Sequence, residues 1–230
     1  LFDFKIYEEQ LCKSIEEVVD GIVQSHLNLN ISAKSRAGAE LSDYLEDKFV
    51  EVLKENDNEY ITNPVGSPKG STKNPWDAKC EFEFMGRKEI IWIDFKAFKV
   101  SSVDSNPDIG TPKKVIKFIQ EGNFYLVFVM VYYDATSDGL EFAKYKGEYT
   151  KVYLLKDVNH TFRLNPKPQL QVNIAAEPEY RTREEFIDLL MEKHRQSYER
   201  QEKALIKKLK TIDEIQADLI DSNRKAETDF

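Results

Sequence analysis

Residues 90–98, Ile-Ile-Trp-Ile-Asp-Phe-Lys-Ala-Phe, constrain this chain more than any other stretch. The run is apolar at nearly every position, and a strand of that kind is covered on both faces of its sheet. Yet Asp94 and Lys96 stand inside it. Residues two apart on a strand share a face, so Asp94 and Lys96 go with Ile90, Trp92 and Phe98, while Ile91, Ile93, Phe95 and Ala97 take the other. Burying a charge without a partner is expensive, and a buried pair often does no better than an apolar replacement. Fold stability alone gives no reason for Asp and Lys at these positions.

Upstream, Cys80, Phe82 and Phe84 alternate with Lys79, Glu81 and Glu83, the period-two pattern of a half-buried strand. A turn at Met85-Gly86-Arg87-Lys88 joins the two strands. With Phe84 opposite Glu89, Asp77 falls opposite Lys96 and diagonal to Asp94, at roughly 5 Å and roughly 7 to 8 Å between side chains. Asp77, Asp94 and Lys96 then converge on one spot. The same register sets Lys79 opposite Asp94, which would make an ordinary cross-strand ion pair. A bulge or a slip would exchange these neighbours.

Two carboxylates a few ångströms apart raise each other's proton affinity unless a cation sits between them. A hard divalent ion such as Mg²⁺ takes oxygen ligands and keeps several waters. It polarises a phosphoryl oxygen and activates a bound water, and a lysine beside it can orient that water or offset charge on the phosphate. The chemistry that suits this set is hydrolysis of a phosphodiester.

Pro75-Trp76-Asp77 followed by Asp94-Phe95-Lys96 resembles the P-D…(D/E)-x-K motif of the restriction-endonuclease-like nuclease superfamily, with Trp76 standing between the Pro and the Asp. The stretches at 74–78, 92–99 and 104–112 are similar to Type II restriction endonucleases of the SwaI type, rare cutters of an A·T palindrome that leave blunt ends. The resemblance implies an α/β fold: a restriction-endonuclease-like mixed β-sheet flanked by helices. It implies Mg²⁺ as cofactor, with Asp77 and Asp94 as metal ligands, the Phe95 carbonyl as a third, and Lys96 as the catalytic lysine. It also implies that Glu40, in Ala37-Gly38-Ala39-Glu40, is the helix carboxylate near the metal. Taken by itself, Glu40 reads as a solvated helix glutamate. A palindromic target in double-stranded DNA has two-fold symmetry, so a homodimer is expected, one site per strand.

Composition sets the outer bounds. A chain of 230 residues is most simply one domain, here 1–230 with a C-terminal helical extension over 181–225. It has no apolar run long enough to span a bilayer, and Leu1 to Lys5 lack a signal pattern. Two cysteines, Cys12 and Cys80, suit a reducing cytosol. The expectation is a cytoplasmic protein without a membrane partner. Net charge is −8, which argues against a general nucleic-acid coat protein. Between Gly66 and Lys117, however, ten Lys and Arg outnumber seven Asp and Glu, so the basic excess surrounds the candidate site.

In chain order, Glu8 to Leu27 reads as an amphipathic helix and Ser35 to Lys54 as a second. Asn63 to Asn74 reads as a loop, in which Lys69 and Lys73 either meet DNA phosphates or sit on a free surface. Lys99 to Pro112 is a second polar loop, where Lys99, Ser101, Ser102 and Asn106 either touch DNA or merely connect. Thr111 caps a helix with Pro112 at its first position, running to Gln120. Phe124 to Tyr133 is a central strand; Leu140–Tyr145 and Lys151–Leu155 are shorter ones. From Leu164 to Ile174, the residues Asn165, Lys167, Gln169, Gln171 and Asn173 alternate with others, and Asn and Gln can pair with adenine in the major groove. Pro166 and Pro168 weaken that strand, and a solvated face is the other reading. Thr182 to Glu185 is a capping box that opens a helix to about Lys225. On it, Leu205, Leu209, Ile212, Ile215 and Leu219 form either a dimer seam or a face packed on the body. His26, His160 and His194 have no ligand spacing.

Three other functions fit parts of the pattern: a structure-specific repair or recombination nuclease, a DNA-binding protein without activity, and an interaction module built on the C-terminal helix.

Overall fold

The computed structural model of the chain describes residues 2–29, 31, 37–68, 76–102 and 105–228. Lys69, Lys73, Pro75 and Asp104 therefore lie outside the described residues.

The fold is a mixed α/β arrangement around one large sheet. Helix α1 (Phe4–Ser25) begins at Asp3, whose side chain accepts from the N–H groups of Lys5 and Ile6. Its apolar residues recur every three or four positions, and Tyr7, Leu11, Ile15, Val19 and Val23 are buried along one stripe. Helix α2 (Ala37–Glu55) does the same with Leu41, Leu45, Phe49 and Leu53. Both stripes pack on one face of the sheet, against Ile91, Ile93 and Phe95 from one central strand and Val127, Val129 and Val131 from the next.

The central pair is β4 (Arg87–Lys99) and β5 (Tyr125–Ala135), which run parallel. A parallel pair needs a crossover, and helix α3 (Pro112–Gln120) supplies it. The Thr111 side chain accepts from the Lys114 N–H and Pro112 opens the helix, as the sequence predicts. All other pairings are antiparallel: β3 (Ala78–Phe84) beside β4, and β2 (Ile61–Gly66) at that edge. The far side of β5 is shared by β7 (Thr150–Leu154) along its first part and β6 (Leu140–Phe142) at its end. The short β1 (Asn28–Leu29) closes the other edge beside β6. The second face of the sheet carries Leu126, Phe128 and Met130, which pack against Val115 and Phe118 of α3, a small two-stranded sheet, and Phe186 and Leu190. That small sheet pairs β8 (Arg163–Leu164) with β9 (Leu170–Gln171).

Three local features differ from the sequence reading. The turn between β3 and β4 has two residues, not four: Phe84 pairs with Arg87. Met85 and Gly86 both take positive φ, 52° and 73°, the pattern of a turn whose twist matches that of the flanking strands. The residues read as a loop from Asn63 begin inside an edge strand, whose register shifts between Thr62 and Val65, with Asn63 at φ 52°. The alternation at 164–174 does describe burial, since Leu164, Leu170, Val172 and Ile174 are buried. It is not one strand, because the paired segments are only two residues each and 166–168 lie between them.

Helix α4 (Arg183–Thr228) opens with the expected box: the Thr182 N–H donates to Glu185 Oε2 at 2.7 Å, and the Glu185 N–H donates to Thr182 Oγ1 at 3.2 Å. Arg183 lies 3.4 Å from Glu89 of β4 and over the rings of Phe124 and Tyr125. The Arg200 guanidinium donates to the Leu164 carbonyl at 2.9 Å. From Gln201 to Lys225 every residue is exposed, so the apolar stripe there is not packed on the body. Among the described residues no helix is long and apolar enough to cross a membrane.

One charge cluster was not foreseen. Lys156 is fully buried, with Nζ 2.9 Å from Glu8 Oε2 and 2.6 Å from Asp157 Oδ1, and it donates to the Arg181 carbonyl. The Tyr125 hydroxyl donates to Glu8 Oε1 at 3.1 Å. Burial raises the proton affinity of both Glu8 and Asp157, against the pull of Lys156. Removing one member strands the others, so Lys156→Ala should destabilise the protein by roughly 3–5 kcal/mol. Urea melts at neutral pH measure this, and a loss near zero would show that the cluster holds nothing together.

Candidate active site

Asp77 sits where the β3–β4 ladder gives out. The last regular pair is Ala78 with Ile93. The Asp77 N–H donates to the Ile93 carbonyl at 2.9 Å, and its carbonyl accepts from the Ser67 N–H at 2.7 Å. Its side chain turns onto β4, where Oδ2 accepts from the Phe95 N–H at 2.7 Å. The two-residue turn places Asp77 level with Asp94 rather than with Lys96, a shift of two residues that keeps both carboxylates on the same face. Lys79 is opposite Trp92 instead of Asp94, and its ammonium lies 5.4 Å from the Trp76 ring. The cross-strand pair of Lys79 with Asp94 is thereby removed.

The division of β4 into two faces is as the sequence predicts. Ile91, Ile93 and Phe95 enter the α1–α2 core, and Trp92 and Phe98 border the other. Asp94 and Lys96 lie on the Trp92 side, with side-chain exposures of 14% and 27%. Lys96 Nζ is 2.9 Å from both Asp94 oxygens. It donates to Oδ1, and Oδ2 is buried with no hydrogen-bond partner. Trp92 stacks on Phe118 at 3.9 Å between ring centroids and walls this side of the site.

The electrostatics follow from burial. Desolvation pushes Asp94 up to about 6, opposed by Lys96 and reinforced by Asp77. Asp77 is also raised, mainly by desolvation, against Lys96 and the Phe95 N–H. For Lys96, burial pulls down, but Asp94, Asp77 and Asp108 outweigh it and the ammonium is held more firmly than usual. The site thus keeps its cation and strains to keep two anions ionised.

Glu40 is exposed on α2. The α2 carboxylates that act on Asp77 are further along the helix. Asp43 raises the proton affinity of Asp77. Glu46 accepts from the Ser67 N–H at 2.8 Å and is itself raised to about 7, by burial first and then by Asp77. A Cβ on Gly66 would fall 3.0 Å from Glu46 Oε1, so the edge strand comes close to this carboxylate. Asp43, Glu46 and Asp108 are the residues missed in the sequence. The available signal was the helix spacing of Asp43 and Glu46 beside Leu45 and Phe49, and for Asp108 its place in the polar 104–112 stretch that follows the strand of Asp94 and Lys96.

Of the other candidates, Ser101, Ser102 and Asn106 are exposed just past the end of β4, and Lys99 lies 3.8 Å from Asp134. The polar row is largely engaged within the chain. Asn165 and Gln171 donate to Asp108 Oδ1 at 3.1 and 2.8 Å. Asn165 Oδ1 accepts from the Lys167 and Gln169 N–H groups, and Asn173 Oδ1 accepts from the Ala175 N–H. The row anchors Asp108 near Lys96 instead of presenting five free amides and amines.

Among the described residues no group of three or more His, Cys, Asp or Glu is arranged to hold a metal. What the site offers is two carboxylates on one face, one of them held by the Lys96 ammonium and the other by the Phe95 N–H. That donor set fits a Mg²⁺-type ion, which takes one or two carboxylates and fills its remaining positions with water and phosphate oxygens.

A family model described as SwaI-like, SwaI restriction endonuclease, matches residues 3–212. Comparison with curated proteins gave no match.

Because folding raises the proton affinity of Asp94, its contribution is favourable below the unfolded value of about 3.9 and is lost as pH rises through about 6. In metal-free protein, the stability of the native chain relative to Asp94→Asn should fall between pH 4 and 7 and level off above. Paired urea melts in chelator give the difference, and a flat profile would contradict a buried ionisation here.

Proposed function

The chain belongs to the SwaI-like restriction endonuclease family, and from that membership and the site we propose a Mg²⁺-dependent Type II enzyme that hydrolyses double-stranded DNA at a specific A·T-rich palindrome. The observation that supports this reading most is the meeting of Asp77, Asp94 and Lys96 on one face, two carboxylates and one ammonium largely removed from water. A fold has no use for that arrangement by itself; a cation and a phosphate give it one.

Asp77 and Asp94 would hold the ion together with the Phe95 carbonyl. The Phe95 N–H points toward Asp77, and the carbonyl of a strand residue leaves on the same side as its N–H. When bound, Mg²⁺ supplies polarisation of a phosphoryl oxygen and a more acidic water. Lys96, fixed by Asp94, offsets charge that grows on the scissile phosphate and orients the attacking water. The Phe95 N–H holds Asp77 in place, so that one carboxylate is set by backbone and the other by an ammonium. Asp108 acts on Lys96 from the loop that follows β4 and is positioned in turn by Asn165 and Gln171.

Lys99, Ser101, Ser102 and Asn106 extend from the end of the same strand and suit contacts to DNA phosphates or base edges. Lys69, Lys73 and Lys167 remain candidates for the same role. Two copies would place one site on each strand of the palindrome. Cys12 and Cys80 are free thiols, in keeping with a cytoplasmic enzyme.

Incubation of the purified protein with A·T-rich plasmid and Mg²⁺ should give discrete fragments whose ends share one sequence. Asp94→Ala and Lys96→Ala should each lower the rate at least about a thousandfold. Fragments without a common end sequence would replace site recognition with a structure-specific nuclease, and no cleavage with any divalent ion would remove the activity. The two α2 carboxylates separate in the same assay. Glu46→Gln should alter the pH profile of cleavage, whereas Glu40→Gln should leave it unchanged; the opposite result would return the helix role to Glu40.

A further inference from the structure

The ribbon of β8 and β9 turns a polar face outward beside the candidate active site. Leu164 pairs with Leu170 and both are buried in the second core. Arg163 pairs with Gln171, and the Asn165 N–H donates to the Gln169 carbonyl at 2.9 Å. Side chains alternate along a strand, so Arg163, Asn165, Gln169 and Gln171 share the face away from the core. Asp108 adds a third row: it bridges to Gln171, while the Ile109 N–H donates to the Leu170 carbonyl and the Leu170 N–H to the Gly110 carbonyl, both at 2.8 Å. The buried leucines and the Arg200 bond to the Leu164 carbonyl fix this ribbon to the body.

The two amides that reach Asp108 are not equivalent. Asn165 Nδ2 donates to Asp108 Oδ1 at 3.1 Å, and its own oxygen accepts from the Lys167 and Gln169 N–H groups. Asn165 is therefore spent within the chain, and it suffices as an anchor for Asp108. Gln171 Nε2 donates to the same Oδ1 at 2.8 Å. Among the described residues the Gln171 oxygen has no partner, and its amide nitrogen carries a second hydrogen. A carboxylate accepts and does not donate, so Asp108 dictates which end of the Gln171 amide faces it. The free oxygen and second hydrogen are left for a ligand in a set order. That acceptor and donor match the N6 amino group and N7 of adenine in the major groove.

We propose that Gln171 reads an adenine of the target through its N6 and N7 atoms, and that Asp108 is the positioning residue that sets the Gln171 amide the right way round. The inference deepens the proposed nuclease and rests on it for duplex DNA as the ligand. A two-stranded ribbon is of a size the major groove admits. Arg163 and Lys167 are exposed on this one, where cations suit the flanking phosphates. Orienting the amide before DNA arrives removes an ordering cost from binding. The ribbon also joins the loop that leaves β4, and Asp108 lies close enough to Lys96 to help hold its ammonium. Reading and cleavage thus meet at one side chain.

The test begins with a random duplex pool, from which the full chain, in Ca²⁺ in place of Mg²⁺, should enrich one sequence. Each adenine of that sequence is then replaced in turn by 7-deazaadenine, which lacks the N7 acceptor, and the Kd is measured by titration. The native chain should lose about tenfold or more in affinity at one adenine position of each half-site. Gln171→Ala should bind the unmodified duplex about tenfold or more weakly and lose nothing further on the modified one. A Gln171 that merely anchors Asp108 would weaken both duplexes equally and keep the native ratio. Gln171→Met, of similar length without the amide, gives the same reading should the alanine variant prove unstable. Asp108→Asn can donate as well as accept, so it should bring the native ratio toward one; an unchanged ratio would overturn the orienting role. No enriched sequence, no sensitive adenine, or a sensitivity that survives in the Gln171 variants would overturn the reader, as would a sensitivity abolished by Gln169→Ala instead. Cutting at a fixed site without this coupling sinks the inference alone, and coupling without cutting in Mg²⁺ sinks the nuclease alone.

Discussion

Two left-handed backbone residues, Met85 and Gly86, decide which carboxylates meet. The tight turn they form fixes Phe84 against Arg87, and every pair down the β3–β4 ladder follows from that contact. Seven residues before Phe84 the chain reaches Asp77, level with Asp94. There the ladder ends, and the Asp77 side chain replaces a strand partner by taking the Phe95 N–H. A turn two residues longer would have kept the face but moved Asp77 past Asp94 to Lys96. The site is therefore assembled by backbone geometry at one end of a hairpin, with its chemistry expressed at the other.

Strand β4 carries both the structural and the functional polar groups of the fold, at separate ends. Near its start, Glu89 holds Arg183 at the opening of α4, and next to it Tyr125 reaches Glu8 and the buried Lys156. These charges tie α1, the sheet and α4 together through ion pairs and hydrogen bonds within the chain. Further along, Asp94 and Lys96 pair with each other beside Asp77. What separates the two ends is composition: the first joins several elements through one buried network, and the second sets two carboxylates and one ammonium on a single face near the strand's end. The same contrast separates the two faces, since aliphatic Ile91, Ile93 and Phe95 supply the packing directly behind the acidic pair.

Much of this was legible in the residues. The apolar run at β4 with Asp94 and Lys96 inside it announced both the central strand and the site, because burial makes charge conspicuous. The α1 and α2 stripes, the Thr111 cap and the Thr182–Glu185 box were likewise readable, since each is a local rule. Register was not, because a turn of two or four residues is chosen by backbone angles that Met-Gly does not advertise as Asn-Gly would. The edge strand at Ile61–Gly66 was hidden by Pro64 and Gly66, which read as turn-formers. Glu46 and Asp108 gain their place only through partners distant in sequence, Ser67 in one case and Asn165 with Gln171 in the other. The buried Lys156 was invisible for the same reason.

The outer strands of the sheet limit how copies of this protein can come together. A free strand edge is a template onto which another chain can zip. Here one border, β2, is broken by the register shift at Thr62–Val65, with Pro64 lacking a donor and Asn63 twisted out of line. The opposite border, β1, is two residues long. Among the described residues neither of these two borders offers an unbroken main-chain ladder to a neighbouring molecule, which guards a concentrated or freshly translated chain against fibre-like growth along them.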